Sequence, residues 1–334
     1  MQEINTREVS PQLNHFEKDY DQKLRPSNFS EYIGQKKIMA NIELMVQSSK
    51  MRSAALDHLL LAGPPGLGKT SLGLLLAKEM GAQMHMISGP GVEKKGDLAA
   101  VLTNLQRGDL LFIDEIHRLP IAIEEILYSA IEDFRLDIII GQGASARTMQ
   151  IDLEPFTLIG ATTRSGLLSN PLRDRFQASF HFDFYNSEEL ALIIQNNTQK
   201  LSLSLDQEAI FEISKRSRGT PRIANRILRR VRDFIVVKGS AQGTLPDVMK
   251  AMQLLDIDHC GLDQMDRKIL TVMRDYYSNG PVGIEALSAT LAEDKSTIEE
   301  VYEPYLLKEG FLIRTPRGRA LTEKALQFLA EVKV

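Results

Sequence analysis

The sequence predicts a parallel α/β sheet covered by helices, then a small helical unit, then a compact unit of helices and two short strands. Short apolar segments alternate with helical patterns from about residue 24 to residue 185. Helical periods alone fill residues 186–259, and the chain ends in two β-prone segments around a Pro-Arg-Gly turn. A length of 334 residues agrees with two or three domains.

The α/β part contains apolar segments that we expect to be strands. Because these segments are apolar on consecutive residues, helices should cover both faces of their sheet. The stretch 136–153 has two β-prone runs around glycines and is expected to be a β-hairpin inserted into the α/β core. The predicted sheet strands are 59–62 (LLLA), 84–88 (MHMIS), 109–114 (DLLFID), 156–163 (FTLIGATT) and 179–184 (SFHFDF).

The expected domain boundaries follow changes in pattern along the chain. Residues 1–22 have mixed charge without an apolar period, which is typical of a flexible tail. A large domain should span 23–185, a small helical domain 186–260 and a last domain 261–334. Three helices followed by two short strands, as in the last domain, are the layout of a winged helix.

Composition limits the class of protein. The chain is 43% hydrophobic and 25% charged, with a formal net charge of -4, which leaves room for a basic DNA-binding patch. A single cysteine, Cys260, excludes an intramolecular disulfide and a zinc ribbon built on cysteines. The polar, charged N-terminus does not resemble a signal peptide, and no apolar run is long enough to span a membrane, so we expect a cytoplasmic protein.

The segment GPPGLGKT, residues 63–70, lies between a predicted strand and a predicted helix and fits the pattern G-x-x-x-x-G-K-[ST]. Gly63, Gly66 and Gly68 allow the backbone to curl so that its N–H groups face phosphate oxygens. Lys69 would then reach the β and γ phosphates, and the Thr70 hydroxyl would bind Mg²⁺. The segment therefore predicts a cradle for a nucleoside triphosphate.

Two adjacent acids follow the predicted strand 109–114. Asp114 is placed to hold Mg²⁺, and Glu115 is placed to polarise an attacking water. Two such acids could also form a solvated helix N-terminus, but the glycine-rich loop upstream favours the catalytic interpretation.

Four segments in this order resemble the AAA+ ATPases and, within them, the RuvB family of bacterial Holliday-junction branch-migration motors. They are GPPGLGKT, LLFIDEIHRL, GATTRSGLLSNPLRDRF and RGTPRIANRILRRVRDF, and LRPSNFSEYIGQ and EPYLLKEGFLIRTPRGR extend the resemblance over roughly residues 24–330. The resemblance implies a homo-hexameric ring that uses ATP and Mg²⁺ to drive duplex DNA through four-way junctions. It also implies RuvA as the junction-binding partner and RuvC resolvase as a further partner.

The resemblance assigns roles around the nucleotide. Thr163 would sense the γ-phosphate, although β-propensity alone also accounts for a threonine there. Arg175, with Arg173 as the other candidate, would be an arginine finger that reaches the neighbouring subunit's nucleotide, with a surface ion pair as the alternative. Arg222 would be the second sensor, whereas the arginines of 215–232 other than Arg222 and Arg218 are interpreted as solvated.

Further residues are placed near a nucleotide by the resemblance alone. Some would bind or enclose the subunit's own nucleotide, and the segment IEDF would border that of the neighbour. The first group is Leu24, Arg25, Ser71 and Tyr185, and the second is Glu132, Asp133 and Phe134.

The hairpin 136–153 matches the insertion by which the family docks onto RuvA. Its apolar run 136–140 needs a cover, which the protein's own core could also supply. In the C-terminal domain, arginines of the RTPRGR turn and a lysine at a helix start would contact DNA phosphates without reading bases, with a solvated surface as the alternative. These residues are Lys295, Arg314, Arg317 and Arg319.

Other classes of function stay open at this level. A loader-type AAA+ switch would use the same ATP site to assemble another protein on DNA. A winged-helix regulator is disfavoured because no long basic recognition helix is evident, and a protein unfoldase is disfavoured because no aromatic-hydrophobic-glycine pore loop is evident.

Overall fold

A computed structural model describes residues 23–140 and 147–331 of the chain. The strands are β1 (Leu59–Ala62), β2 (Met84–Ser88), β3 (Leu110–Asp114), β4 (Arg135–Ile140), β5 (Arg147–Asp152), β6 (Thr157–Thr162), β7 (Ala178–His181), β8 (Leu312–Thr315) and β9 (Gly318–Leu321). The helices of the first two units are α1 (Lys36–Arg52), α2 (Lys69–Met80), α3 (Lys95–Thr103), α4 (Ile121–Glu132), α5 (Asn170–Arg173), α6 (Ser187–Lys200), α7 (Gln207–Lys215), α8 (Pro221–Lys238) and α9 (Leu245–Leu254). The last unit adds α10 (Gln264–Tyr277), α11 (Ile284–Leu291), α12 (Lys295–Thr297), α13 (Glu303–Lys308) and α14 (Glu323–Glu331).

The five predicted sheet strands form one parallel sheet in the order β2-β3-β6-β1-β7. The last strand was predicted to run to residue 184 but ends at His181. The reason is that its partner β1 ends at Ala62, which pairs with His181, and the chain then turns away at Gly63 with φ of 140°. The predicted hairpin is confirmed as the antiparallel pair β4-β5, and residues 141–146 of its turn lie outside the described residues.

Alternate residues of each central strand pack on opposite faces of the sheet. In β3, Leu110 and Phe112 belong to one apolar cluster, whereas Leu111 and Ile113 belong to another. Helices α1 and α2 cover the first face, and α3 and α4 cover the second. This two-sided burial explains why the central strands β1, β3 and β6 are largely apolar, whereas the edge strands β2 and β7 carry exposed or half-buried polar residues.

The helical unit α6–α9 continues the core of the sheet. Leu190 of α6 and Ile227 of α8 belong to the same buried cluster as Leu59 of β1. The last unit instead has a cluster of its own, which runs from Leu262 to Leu329. The predicted fold class is thus confirmed: an α/β domain with an inserted hairpin, a helical lid and a C-terminal winged helix. The boundaries drawn after residues 22, 185 and 260 stay predictions.

Two buried arginines lie between α7 and α8, and one of them connects the lid to the winged helix. Arg218, which is 5% exposed, lies 2.8 Å from Asp263 and also contacts Asp266. Arg216 is equally buried and donates hydrogen bonds to Glu212 at 2.8 Å and to the Ile257 carbonyl at 3.3 Å. The interpretation of Arg216 as a solvated residue was therefore wrong, because Arg216 directly follows α7 and its guanidinium bonds to Glu212 and Ile257 inside the lid.

Within residues 23–140 and 147–331, no helix combines the length and the apolarity that crossing a bilayer requires.

The two-sided core predicts a strong effect of truncation at Phe112, which is fully buried. Phe112→Ala should lower the free energy of unfolding by about 3–5 kcal/mol, because it removes a ring and leaves a cavity between the sheet and its helices. Urea denaturation followed by circular dichroism measures the change. Phe211→Ala is the matched control, since Phe211 is 41% exposed. Equal losses in the two variants would contradict this view of the core.

Candidate functional site

The glycine-rich loop is held from outside through its carbonyl groups. Three successive carbonyls accept hydrogen bonds from three separate parts of the chain. In a planar trans peptide the N–H points opposite to the C=O, so the N–H groups of the same peptides face the cleft. The bonds are Arg222 N to Gly66 O at 3.3 Å, Tyr185 Oη to Leu67 O at 3.2 Å and Tyr32 Oη to Gly68 O at 3.4 Å.

Glycine is required at two positions of this loop. Gly66 has φ of 81°, and a Cβ there would lie 2.8 Å from Cβ of Arg222. Gly68 has φ of 98°, and a Cβ there would lie 2.8 Å from the Tyr32 hydroxyl. A side chain at either position would strain the backbone and separate the loop from the residues that hold it.

Lys69 begins α2 with its side chain folded over the loop. Its Nζ donates to Gly63 O at 2.7 Å and to Pro64 O at 2.9 Å. Burial lowers the pKa of Lys69 to about 8, although the nearby carboxylates of Asp114 and Glu115 oppose this shift. The predicted phosphate-binding cation and the two predicted acids therefore share one site.

The acids lie at the carboxyl end of β3. Burial and the neighbouring Glu115 raise the pKa of Asp114, whose Oδ1 accepts a hydrogen bond from Glu115 N at 3.1 Å. Oε2 of Glu115 accepts from Thr163 Oγ1 at 3.0 Å and lies 3.3 Å from Thr163 N. The predicted base and the predicted γ-phosphate sensor are thus brought into direct contact.

Sequence reasoning missed His117 in this group. Its Nδ1 lies 3.2 Å from Glu115 Oε2 and 2.9 Å from Thr162 Oγ1. The side chain is almost fully buried, and this burial lowers its pKa, which favours the neutral ring. The signal was present in the segment DEIH, where a short 3-10 turn over Ile116–Arg118 carries the histidine back toward Glu115.

One cleft between the large domain and the lid joins a polar end to an apolar end. Arg25, Gly68, Ser71, Pro221 and Asn225 line both ends. The polar end also includes Gly66, Lys69, Thr70, Asp114, Glu115 and Arg222. The apolar end also includes Leu24, Tyr32, Tyr185, Ile193 and Lys200. The cleft therefore has the shape and chemistry for a ligand with phosphates at one end and an aromatic base at the other.

Two further contacts that the sequence did not reveal hold the apolar end together. Lys200 of the lid donates to Arg25 O at 3.0 Å and to Glu31 Oε2 at 2.9 Å, which fastens the segment before α1 to the lid. Asn197 donates to Asn225 Oδ1 at 2.7 Å between two lid helices. Tyr32 was also missed, although it belongs to the segment LRPSNFSEYIGQ that carried the resemblance.

The arginine-finger candidates lie elsewhere. Arg175 places Nη2 2.9 Å from Glu132 Oε2 and its guanidinium 4.6 Å from the ring centre of Tyr128. Arg173 donates to the Ser165 carbonyl at 3.0 Å. In the part of the chain that the structure describes, neither arginine lines the cleft.

The segment IEDF divides between surface and core. Glu132 and Asp133 are exposed at the end of α4. Phe134 instead packs edge-on against Phe156, with ring centres 5.8 Å apart, as part of the subunit's own core. Glu132 therefore has the contact with Arg175, whereas Phe134 supports the strand that starts the hairpin.

The base of the hairpin packs against the protein core. Leu136 is 1% exposed and packs in the second core cluster, together with Leu153. Met149 is 45% exposed. The side chains of 138–140, which form most of the predicted apolar run, lie outside the described residues.

The candidate DNA contacts of the winged helix fall into two classes. Lys295 and Arg317 are exposed. Arg314 and Arg319 each place Nε 2.9 Å from Oε1 of Glu303, a side chain that is 1% exposed. Although burial opposes it, the hydrogen bonds from these two arginines hold the pKa of Glu303 below its ordinary value.

The Glu303 ion pairs predict a pH dependence of stability. Because the pKa of Glu303 is lowered from 4.5, its carboxylate stabilises the fold above that value, and the contribution is lost as the pH falls through the lowered pKa. At pH 7, Glu303→Gln should therefore cost about 1–3 kcal/mol, and this deficit should shrink near pH 4. Thermal melting of both proteins at several pH values measures it, with exposed Glu323→Gln as the control. A deficit that stays constant with pH would contradict the assignment.

The apolar end of the cleft predicts a second effect. Tyr32→Ala should weaken binding of a fluorescent ATP analogue about tenfold, because it removes a wall of the cavity and a bond to the loop. Tyr32→Phe, which keeps the ring, should lose less. Tyr276→Ala is the control, since Tyr276 is 74% exposed in the winged helix. Unchanged binding by Tyr32→Ala would place the base elsewhere.

Comparison with known proteins agrees with this architecture. The family model described as "Holliday junction DNA helicase RuvB P-loop domain" matches residues 24–182, "RuvB AAA lid domain" matches 185–258, and "RuvB C-terminal winged helix domain" matches 259–330. Two similar proteins are called "Holliday junction branch migration complex subunit RuvB". The one from Fervidobacterium nodosum is 53% identical and covers 98% of this chain and 95% of the relative. The one from Oleidesulfovibrio alaskensis is also 53% identical, and the match covers 92% of this chain and 96% of the relative.

Solved structures extend the agreement to three dimensions. The structure titled "Thermotoga maritima RuvB Holliday junction branch migration motor" superposes with a TM-score of 0.86 at 51% identity, covering 92% of this chain and 98% of that chain. The structure of a point mutant of Thermotoga maritima RuvB gives a TM-score of 0.86 at 50% identity, covering 93% and 99%. The order of the domains, the P-loop and the extent of these matches agree, and the chain belongs to the RuvB family of AAA+ ATPases.

Proposed function

We propose that this chain is an ATP-driven motor that moves duplex DNA and drives branch migration of Holliday junctions in homologous recombination and DNA repair. The observation that carries the proposal is the cleft, in which the glycine-rich loop, the acid pair and the lid arginine meet in a chain that ends in a winged helix. The printed names of the relatives, which describe a branch migration complex subunit, support it.

The nucleotide is ATP in this proposal. Leu24, Arg25 and Tyr185 enclose the base and ribose, and the loop N–H groups with Lys69 bind the phosphates. A glycine at position 66 fits this role, because a Cβ there would lie 2.8 Å from Cβ of Arg222 and would separate the loop from the lid. Ser71 lines both ends of the cleft and would contact the nucleotide beside its phosphates.

Thr70 and Asp114 offer the hard oxygen ligands that Mg²⁺ prefers, and both line the polar end of the cleft. When bound, Mg²⁺ neutralises charge on the β and γ phosphate oxygens. The protein's own contribution is to keep a half-buried carboxylate and a hydroxyl at the carboxyl end of β3 and the start of α2.

Glu115 accepts the proton of the attacking water in the proposed hydrolysis. In the described arrangement, Glu115 accepts a hydrogen bond from the Thr163 hydroxyl. A threonine hydroxyl has one proton to donate, so it can bond a γ-phosphate oxygen only when it leaves Glu115, whose two carboxylate oxygens have further lone pairs to accept from water. Arg222, whose own N–H is bonded to Gly66, adds a lid contact to the same phosphate and couples the lid angle to the nucleotide state.

Arg175 completes the site from the neighbouring subunit of a homo-hexameric ring. Within its own chain it is paired with Glu132 away from the cleft, which agrees with a role in trans. Such a finger stabilises charge that develops on the transferred phosphoryl group and is worth on the order of 10³–10⁵ in rate.

The partners of the motor are DNA and two proteins in this proposal. The exposed Lys295 and Arg317 contact duplex phosphates first, and Arg314 and Arg319 join them. The hairpin 136–153 docks on RuvA, supported by the exposure of Met149 on its second strand. RuvC resolvase is the further partner, and the cytoplasm is the proposed location.

A loader-type ATP switch is the alternative function, since it would use the same cleft. A sequence-specific regulator is a weaker alternative. The third helical segment of the winged helix, which such a regulator would insert into the major groove, carries Glu299, Glu300 and Glu303. Acids on this segment oppose close contact with phosphates.

The test is dissociation of a synthetic four-way junction by the purified chain with its RuvA partner and ATP. Wild type should separate the junction into duplexes. Glu115→Gln and Arg175→Ala should bind DNA but fail to separate it, because each lacks one half of the hydrolytic site. ATP hydrolysis without junction movement by the wild type would instead favour the loader-type switch.

Mixing the two inactive variants tests the trans role of Arg175. A ring that contains both variants places the intact Glu115 of one subunit next to the intact Arg175 of another at about a quarter of its interfaces. ATP hydrolysis should therefore reappear on mixing. If mixtures stay inactive while both variants still assemble, Arg175 does not act in trans.

A further inference from the structure

The winged helix touches the ATP site through an acidic turn, which we define as Ile298–Tyr302. Glu300 Oε1 lies 3.1 Å from Arg164 Nε, and Glu299 Oε2 lies 3.0 Å from Arg164 Nη2. Glu300 Oε2 also lies 3.5 Å from Thr163 Oγ1. The winged helix thus contacts Thr163, the residue of the large domain whose hydroxyl donates to Glu115.

The polar contacts continue from this turn to the DNA-facing arginines. Glu299 uses its second oxygen, Oε1, to contact Arg319 Nη2 at 2.8 Å. Arg319 and Arg314 in turn share Glu303. A series of ion pairs therefore links Arg164, the chain neighbour of Thr163, to the wing, in the order Arg164, Glu299, Arg319, Glu303 and Arg314. The single hydroxyl proton of Thr163 is shared between Glu115 and Glu300, which both accept from Oγ1.

The contact is built to open. The winged helix has its own apolar core, whereas Arg164, Glu299 and Glu300 meet with 27–30% of each side chain exposed. Ion pairs at this exposure each contribute about 0–1 kcal/mol and are screened by salt. A modest competing interaction can therefore separate the acidic turn from the large domain.

Duplex DNA supplies a competitor of the right charge. Arg319 is shared between Glu299 and Glu303, so a phosphate that binds Arg319 and Arg314 competes directly with both acids. A phosphate bound at Arg319 also repels Glu299 and attracts Arg164, so it weakens the ion pair between these two residues. The wing and the ATP site are then coupled through one shared carboxylate.

We propose that Arg164 and Glu300 are positioning residues that form a latch between the winged helix and the large domain. The latch keeps the Thr163 hydroxyl between the carboxylates of Glu115 and Glu300, where its proton is not free for the γ-phosphate, until DNA phosphates take Arg314 and Arg319. ATP hydrolysis is slow while the latch is closed and rises when DNA opens it. This inference rests on the proposed function, because it assigns DNA control to the same hydrolytic site.

The experiment measures steady-state ATP hydrolysis by the full chain at saturating ATP, with and without linear duplex DNA of mixed sequence. Arg164→Gln should raise the DNA-free rate about three- to tenfold, as expected for the loss of one or two ion pairs. Added DNA should then raise the rate much less than it does in the wild type. Glu300→Gln, which leaves Arg164 in place, should change both rates in the same direction.

Arg230→Gln is the matched control, because Arg230 forms an exposed ion pair with Asp233 on α8. It should keep the wild-type ratio of rates with and without DNA, and thermal melting should show that all variants are folded. The latch is wrong if both Arg164→Gln and Glu300→Gln leave the DNA-free rate at or below that of the wild type. Failure of the proposed function is detected separately, as a wild-type rate no greater than that of Glu115→Gln.

Discussion

The glycine-rich loop determines how the three parts of the ATP site meet, because its carbonyl groups are bonded outward to the rest of the chain. Tyr32, Tyr185 and Arg222 hold successive loop carbonyls from the segment before α1, the domain junction and the lid. These bonds turn the peptide N–H groups inward, so phosphate binding and lid position depend on the same few peptides. Movement of the lid would therefore alter the phosphate site directly.

The local pattern of the sequence was sufficient for much of this architecture. Apolar runs predicted the strands of the main sheet, because the central strands β1, β3 and β6 are covered on both faces and are largely apolar. The glycine-rich loop predicted the phosphate cradle, the acid pair after the third strand predicted Glu115, and the resemblance placed Thr163, which the structure brings to 3.0 Å from Glu115. Their roles are properties of a loaded ring, so they stay predictions.

Contacts between distant segments were out of reach of the same reasoning. Tyr32 and Gly68 are 36 positions apart, and Arg164 and Glu299 are 135 apart, so no local period relates them. Arg216 was misjudged because basic composition does not reveal which arginine at the end of a helix is buried inside the lid. Contacts of this kind depend on how whole domains pack.

The large domain and the lid share one apolar core, in which Leu190 and Ile227 pack in the same cluster as Leu59. Close-packed side chains have few alternative arrangements of similar energy, because intermediate positions leave voids or overlaps. The lid should therefore tilt between a small number of settings and resist a continuous drift. A motor whose large domain and lid share such a core converts ATP hydrolysis into a step of defined size.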